Sequence, residues 1–501
     1  MKNKTGVCRA LLLVGMGLMI PCYLFTAGNT LLSPWPLYDR NRLALCLLTP
    51  LCLLLLLLLG RAAKAKVFET HERAVLLGFA AFYFVIQLVM ASALRFTPVT
   101  DLEQCVTAAR RLAQTGAFGD SERSLIYFGR YPHNMGLVYL LAGIFKAADA
   151  LGADELMAAA LVCGLLFSMG LLCAARLCRR LGGAQAQARA LLLFATCLPF
   201  LYCTSELYTD AFSVAFAPMI VFAFLKARDA GSRKERSLWA LLFAVCTFFG
   251  AQIRFPTIIA AIACLIAALF EKRAKLTALL AAPLALVFAV GGSAVNAANK
   301  ANLGAANIAQ NKLPKLHYIA MGLPVQSDEG YGQYGYGGWL IFSTSFDDPQ
   351  ARDEALRQEV VDRAYTLAHH PAQLLSTLSR KNLSTFGRGT FNLNEIFEAD
   401  AHEADNAVKQ AVFENGRFNR AYTHLATAMF VAQMALACIA CIQAIRRRDT
   451  HAAPLFLTLL GAFLFLSIWE TRARYFFQFM MILLCAGAMF ETPSTHAAQK
   501  A

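Results

Sequence analysis

The sequence predicts an all-α integral membrane protein: about twelve transmembrane helices, interfacial helices in a first outer loop, and a long outer loop before the last three spans. Three observations predict it. Hydrophobic residues make up 58% of the chain and charged residues only 16%, where a soluble chain carries roughly a quarter charged. Apolar runs recur along most of the length. One of them, LALCLLTPLCLLLLLLL (43–59), crosses most of a hydrocarbon core of roughly 30 Å at about 1.5 Å per residue. Basic residues fall on alternate connections between the runs, as expected of cytoplasmic loops. The short alternating strands of a membrane barrel are missing.

Taken in order, the expected spans are 8–27, 43–59, 74–93, 155–176, 187–203, 208–226, 237–252, 255–271, 276–294, 422–444, 453–469 and 475–491. No small-residue cleavage site follows the first, so it is read as an uncleaved span. With Lys2, Lys4 and Arg9 in the cytoplasm, every even-numbered connection should be basic. Each one is: RAAKAK (61–66), RLCRRLGG (176–183), KARDAGSRKER (226–236), EKRAKL (271–276) and RRRDTH (446–451). Both termini are then cytoplasmic. The apolar segment MGLVYLLAGIFKAADALG (135–152) must not cross, or RLCRR would face outward. It is short, carries Lys146, and is read as a helix at the outer interface.

The chain therefore divides into a transmembrane core (1–294) with a functional first outer loop (94–154), an extracytoplasmic loop or small helical domain (295–421), and C-terminal transmembrane helices (422–501). A polar loop of this length usually carries function. Its middle (348–382) has helical periodicity with a helix-stopping His-Pro at 370–371. Before it, DEGYGQYGYGG (328–338) has the Gly/Tyr composition of a mobile loop.

The net charge of +14 belongs to the cytoplasmic loops. No basic stretch is interleaved with exposed aromatics, which excludes nucleic acid as a partner. The 15 Cys sit mostly inside apolar runs without CxxC or Cys/His zinc spacing, so they read as small packing residues. Cysteine usage and loop pattern place the protein in a bacterial plasma membrane.

Ionisable residues at the outer membrane edge are the candidates for chemistry. FTPVTDLEQC (96–105) puts Asp101 and Glu103 just after the third run. On a helix the two acids face different ways, and Thr100 is placed to cap a helix that starts there. An acid at a helix N-terminus also satisfies the dipole. RYPHN (130–134) offers Arg130 and His133 beside a Pro-fixed turn, suited to an anionic head group or to interfacial anchoring. SELYTD (205–210) leaves Glu206 and Asp210 in a tight outer turn, and AQIRFPT puts Arg254 in another. Ionisable groups so near the lipid core tend to face a bundle interior or a polar cavity. ETRARYFFQF (470–479) opens the last run with Glu470, Arg472, Arg474 and Tyr475. Two outward arginines run against the positive-inside trend, and guanidinium forks suit phosphate. In the long loop, LHYIAMGLP contributes His317, and RKNLSTFGRGTFN contributes Arg380, Lys381 and Arg388, which read as solvated.

These motifs together resemble the GT-C membrane glycosyltransferases, in the branch of bacterial relatives of protein mannosyltransferases and aminoarabinose transferases. The resemblance rests on an acid in the first outer loop, an interfacial helix after RYPHN, LYTD opening a later span, HYIAMGL in a long outer loop, and ETRARY opening the last span. It implies transfer of a sugar, with inversion, from a polyprenyl-phosphate carrier to an acceptor outside the membrane. The acceptor would be a cell-wall polymer, a glycolipid or a protein. Asp101 matches the first-loop catalytic acid. Where related mannosyltransferases carry an adjacent acidic pair, this chain has Asp-Leu-Glu, which separates Glu103 from that pattern. The resemblance admits a divalent metal, for which Asp101, Glu103 and Asp210 are oxygen donors, although nothing in their spacing demands one.

The chemistry also follows from the residue types. An acceptor hydroxyl needs a base, and a carboxylate serves. A leaving phosphate needs no general acid but needs its charge stabilised by cations. The expected set is Asp101 as base, Arg254, Arg472 and Arg474 for the lipid phosphate, and His133, Asp210 and His317 to shape the pocket. Two other classes fit a many-span chain with buried charge: a transporter or flippase of lipid-linked saccharide, and a non-catalytic scaffold that binds cell-wall precursors. No repeated halves appear, which disfavours transport.

Overall fold

The computed structural model describes residues 2–35, 41–63, 65–94, 97–119, 121–326, 329–393, 406–413 and 415–491. Phe96, Asp328 at the head of the Gly/Tyr stretch, residues 394–405 of the long outer loop, and the tail after 491 lie outside them. Helices account for nearly all of the described chain, and no strand occurs among the described residues.

Eight helices are long and apolar enough to cross a membrane: α1 (Gly6–Leu32), α2 (Arg42–Ala62), α3 (Lys66–Ala93), α7 (Glu155–Ala195), α8 (Thr209–Asp229), α9 (Arg233–Ile253), α11 (Ala274–Leu303) and α15 (Asn419–Arg446). Three shorter apolar helices join them: α10 (Phe255–Phe270), α16 (Ala453–Ile468) and α17 (Ala473–Ala488). Between α3 and α7 lie α4 (Thr100–Thr115), α5 (Glu122–Arg130) and α6 (Met135–Ala150). The long loop holds α12 (Lys315–Gly322), α13 (Pro349–His369) and α14 (Pro371–Phe386).

The lipid-facing side can be read from α2. Leu43, Leu47, Leu51, Leu54 and Leu58 are exposed, while Leu45, Thr49, Cys52, Leu56 and Gly60 are buried. Each set recurs every three or four residues, so each is one stripe of the helix. An exposed leucine stripe is tolerable in lipid and costly in water. α8, α15 and α17 are instead buried along most of their length and form the centre, while α11 leaves almost all of its apolar surface open.

The expected spans 155–176 and 187–203 fall in one helix, α7, kinked at Gly182–Gly183, where Gly183 has φ 72°. The second of these ends early, at Ala195, and short 3-10 turns at Leu198–Leu201 and Cys203–Glu206 replace its last residues. Pro199 explains this, because it lacks an N–H and disfavours helical backbone before it.

The first outer loop folds as a packed helical layer. α4 buries Leu102, Cys105, Val106 and Ala109, one face at i, i+3, i+4, i+7 spacing, against α6. α6 buries Leu137, Val138, Leu141, Ile144 and Phe145 and exposes Lys146. The long loop builds a small core of its own from Ala320, Met321, Trp339 and Leu356. α13 stops at His369 and α14 starts at Pro371, where the His-Pro pair places the break.

The Gly/Tyr stretch is tied down rather than loose. Gly330, Gly332, Gly335, Gly337 and Gly338 all take positive φ, which side-chain-bearing residues adopt at a cost. At its base, buried Glu329 meets Arg363 at 2.5 and 2.8 Å and accepts N–H bonds from Val325 (2.7 Å) and Gln326 (2.8 Å). The Arg363 guanidinium lies 4.4 Å above the Trp339 ring. Burial pushes the Glu329 pKa up, but Arg363 and the two N–H donors outweigh it and hold it below the usual carboxylate value. A depressed carboxylate stabilises above its unfolded pKa and loses that contribution as pH falls through the folded one. Acidification through and below the ordinary carboxylate range should therefore release this loop. Limited proteolysis across 329–338 checks it: cleavage should rise at acid pH, and Glu329→Gln should show raised cleavage already at neutral pH.

Candidate active site

Four separate pieces of chain bring the outer charges together. Asp101 stands in the first turn of α4, on the edge of that helix's buried face. The expected Thr100 cap is not formed: Val99 is the N-cap, no side chain caps the helix, and Thr100 sits at φ 54°. For a β-branched residue that backbone is strained, and strain of this kind clusters at functional sites. Asp101 Oδ1 accepts a 2.8 Å hydrogen bond from the Tyr127 hydroxyl of α5. Asn134 in turn donates to the Tyr127 oxygen at 3.0 Å. Asp101 Oδ2 lies 3.5 Å from the Tyr208 hydroxyl and 3.9 Å from Arg474 Nη2. The carboxylate stays 43% exposed, so one side remains open.

Behind it lies a buried ion triad. Asp210, in the first turn of α8, has no exposed surface. Arg254 Nη1 approaches its Oδ1 at 3.0 Å, and Arg474 Nε its Oδ2 at 3.5 Å. Arg254 also donates to Thr209 Oγ1 at 2.6 Å and lies 4.5 Å over the Tyr475 ring. Arg474 lies 5.3 Å over the Tyr208 ring. Arg474 thus links the buried acid to the open one. The pair of turns makes this possible: SELYTD starts at the end of the 3-10 turn Cys203–Glu206 and runs into the first turn of α8, and Arg254 is the extended residue between α9 and the Pro256 turn.

Arg472 does not join the triad. Its Nη2 donates to the Tyr334 carbonyl at 3.1 Å, holding the Gly/Tyr loop against the site. Thr471 adds two bonds to the same loop, N–H to Gly332 O (2.8 Å) and hydroxyl to Tyr331 O (2.9 Å). The Tyr334 and Tyr131 hydroxyls meet at 2.8 Å, closing the loop onto the first outer layer. Arg130 ends α5 beside Tyr131. Its guanidinium makes no hydrogen bond or ion pair among the described residues, and its Nε is buried without an acceptor. His133 stands edge-on to Tyr131 and Tyr318, exposed yet ringed by protein atoms. That crowding lowers its pKa to about 4, with Asp101 pulling the other way, so the ring is neutral at ordinary pH.

Three expectations are corrected. Glu103 is exposed, and its carboxylate has no hydrogen bond or ion pair among the described residues, because position 103 falls on the solvent face of α4. His317 is fully buried, bonded through Nδ1 to Ser343 Oγ at 2.7 Å, and burial lowers its pKa to about 4. It belongs to the long loop's own packing, and the next residue, Tyr318, is the one that faces the site. Lys381 is not solvated: it is 1% exposed, and its ammonium donates to the carbonyls of Gly322 and Trp469. Arg380 donates to Gly330 O (3.0 Å) and Arg388 to Asn392 Oδ1 (3.0 Å), so these too are structural contacts.

The Lys381 contact needs close backbone approach. A Cβ on Gly322 would lie 2.3 Å from Ile468 O and 2.5 Å from Trp469 C. Gly322→Ala should therefore push α12 away from the segment that opens α17, lowering the unfolding midpoint in detergent and loosening Glu470. An unchanged midpoint would contradict this packing.

A metal does not fit the predicted donors. Asp210 is enclosed by two guanidinium groups, Glu103 faces away, and no group of three or more His, Cys, Asp and Glu suited to a metal ion stands among the described residues. An apolar groove of about 320 Å³ lies elsewhere, between α1, α14 and α16, lined by residues such as Phe25, Leu378, Phe386 and Phe463, with Lys381 also on its wall.

Fold and site together define a multi-pass helical membrane protein that holds a charged, partly open basin under a loop layer. The chain belongs to the family described as conserved hypothetical integral membrane protein, whose model matches residues 42–495. No curated protein and no solved structure matches it.

Proposed function

We propose that this protein is an inverting glycosyltransferase of the GT-C type, moving a sugar from a polyprenyl-phosphate donor to an extracytoplasmic acceptor. In this reading α7 counts as two spans either side of its kink, which with the other apolar helices gives twelve. The basic connections lie in the cytoplasm, and the basin opens outward. One observation carries the proposal: Asp101 keeps an open side while Tyr127, Tyr208 and Arg474 orient the other, beside a set of fixed guanidinium groups.

Asp101 accepts the proton of an acceptor hydroxyl as that oxygen bonds to the anomeric carbon. The bond from that carbon to the phosphate oxygen breaks on the opposite face, and its electron pair leaves with the polyprenyl phosphate. The phosphate leaves without a proton, so its charge is met by cations. Arg254, Arg472, Arg474 and Arg130 outnumber Asp101, Asp210 and Glu470, which leaves the basin with an excess of positive charge. Arg130, with no counter-ion among the described residues, is the cation most available to a phosphate. His133, neutral, offers a hydrogen bond rather than a charge. The apolar groove between α1, α14 and α16 suits the lipid tail.

The test offers membranes carrying the protein a panel of polyprenyl-phosphate sugars and measures release of lipid phosphate. Release from one donor, lost in Asp101→Asn, supports transfer. No release from any donor, with movement of lipid-linked saccharide across vesicles instead, would replace transfer with transport.

A further inference from the structure

Two buried oxygens beside the site, one on Glu470 and one on Tyr318, have no hydrogen-bond partner among the described residues. Glu470 is 7% exposed. Its Oε1 accepts a hydrogen bond from the Tyr475 hydroxyl, while Oε2 is buried without a partner. The Tyr318 hydroxyl is likewise buried without a partner. Burial raises the Tyr318 pKa, and the charges that raise it further are Glu470, Tyr475, Tyr334 and Asp101, which places this hydroxyl among the site residues. The two groups are held firmly. Tyr318 stacks on Trp469 at 5.1 Å and 13°, and Trp469 stacks on Phe465 at 5.1 Å. Lys381 fixes the Trp469 carbonyl from the other side.

Leaving such atoms unpaired is costly, and native proteins rarely do so without a reason. A packed core would replace Tyr318 by Phe at no loss of volume. One orphan here is an acceptor and the other a donor. Sugar hydroxyls are both donors and acceptors, and can answer either kind.

We propose that Glu470 Oε2 and the Tyr318 hydroxyl form a subsite that recognises hydroxyl groups on the sugar of the lipid-linked donor, and that the sugar is neutral. The subsite rests on the donor class proposed above. Neutrality follows from the charge around Glu470: Arg254 lies 4.5 Å over the ring of Tyr475, whose hydroxyl bonds Glu470, and Arg472 and Arg474 follow two and four residues on. Burial also raises the Glu470 pKa, against the Tyr475 hydrogen bond and those three arginines, which further weakens any call for a cationic sugar. The Gly/Tyr loop is bonded to Thr471 and Arg472, the two residues after Glu470, and so lies next to the subsite.

The experiment uses the full chain in nanodiscs. Binding of polyprenyl phosphate bearing a neutral hexose is compared with the same lipid bearing an amino sugar and with bare polyprenyl phosphate, alongside the thermal midpoint of each variant. The wild type should prefer the neutral-sugar lipid to the bare lipid by roughly tenfold or more, since a site built for a hydroxyl penalises its absence. Tyr318→Phe and Glu470→Gln should lose most of that preference, and Asp101→Asn should keep it. Tyr318→Phe should also melt at or above the wild-type temperature, because it deletes an unpaired hydroxyl and nothing else. A preference unchanged in Tyr318→Phe would overturn the subsite, as would no preference in the wild type or tighter binding of the amino sugar. If the neutral-sugar preference holds but no lipid phosphate is released, the subsite stands and the transferase reading falls.

Discussion

Asp101→Asn should lower the rate of lipid-phosphate release by roughly 10²–10⁴-fold, the usual contribution of a positioned general base. Stability should barely move. Asp101 is partly exposed, and an amide can still accept the Tyr127 hydroxyl bond and sit in the same rotamer. The variant therefore separates chemistry from folding: donor binding is retained, the thermal midpoint is retained, and turnover is lost. Glu103→Gln is the matched control. It lies two residues away on the solvent face of the same helix and should retain most activity. Equal losses in both variants, or wild-type turnover in Asp101→Asn, would remove Asp101 from the role of base.

The largest effect on stability should come from Asp210→Ala. Asp210 is fully buried, and its two oxygens face Arg254 and Arg474, whose side chains are only 12% and 11% exposed. Removing the acid leaves two buried guanidinium groups facing each other, Arg474 with only the more distant, partly exposed Asp101 to offset it. Breaking a buried pair in this way costs about 3–5 kcal/mol, because desolvation of the remaining charge is no longer offset. Reversible unfolding in mixed micelles should show that loss, together with loss of turnover from a displaced Arg474. A double variant, Asp210→Leu with Arg254→Met, should regain part of the stability without regaining activity, since apolar side chains of similar volume remove the stranded charge. A single Asp210→Ala variant as stable as the wild type would mean that the triad is not closed as described.

Both predictions depend on residues whose chemical type was legible and whose partners were not. Asp101, Asp210, Arg254 and Arg474 could be singled out because ionisable groups beside apolar runs are costly unless they have a task. Nothing local distinguished Arg472 from Arg474. Arg472 is the extended residue that caps the 3-10 turn Ala473–Phe479 and Arg474 lies inside that turn, so one reaches a loop carbonyl and the other the two aspartates. His317 drew attention over Tyr318 because imidazole is the more familiar catalytic group. The bond to Ser343 and the stacking on Trp469 reverse that choice, the first a contact within the long loop and the second between that loop and the end of α16. Lys381 looked solvated because its segment is polar, yet α14 turns it onto two carbonyls supplied by α12 and the end of α16.

By itself, the sequence determined the helical class, the membrane setting, the apolar runs, the His-Pro break, and the position of the acids and arginines at the ends of the apolar runs. These are properties of hydropathy, periodicity and backbone stereochemistry, all carried within a few turns of chain. Tertiary structure alone decided which acid meets which arginine, which face of α4 looks inward, and which buried polar atoms have no hydrogen-bond partner among the described residues. Those outcomes depend on contacts between segments more than a hundred residues apart, such as Asp101 with Tyr208 and Arg474. Charge–charge and hydrogen-bond energies fall off over a few ångströms, so they are set by packing between helices, which local sequence does not encode.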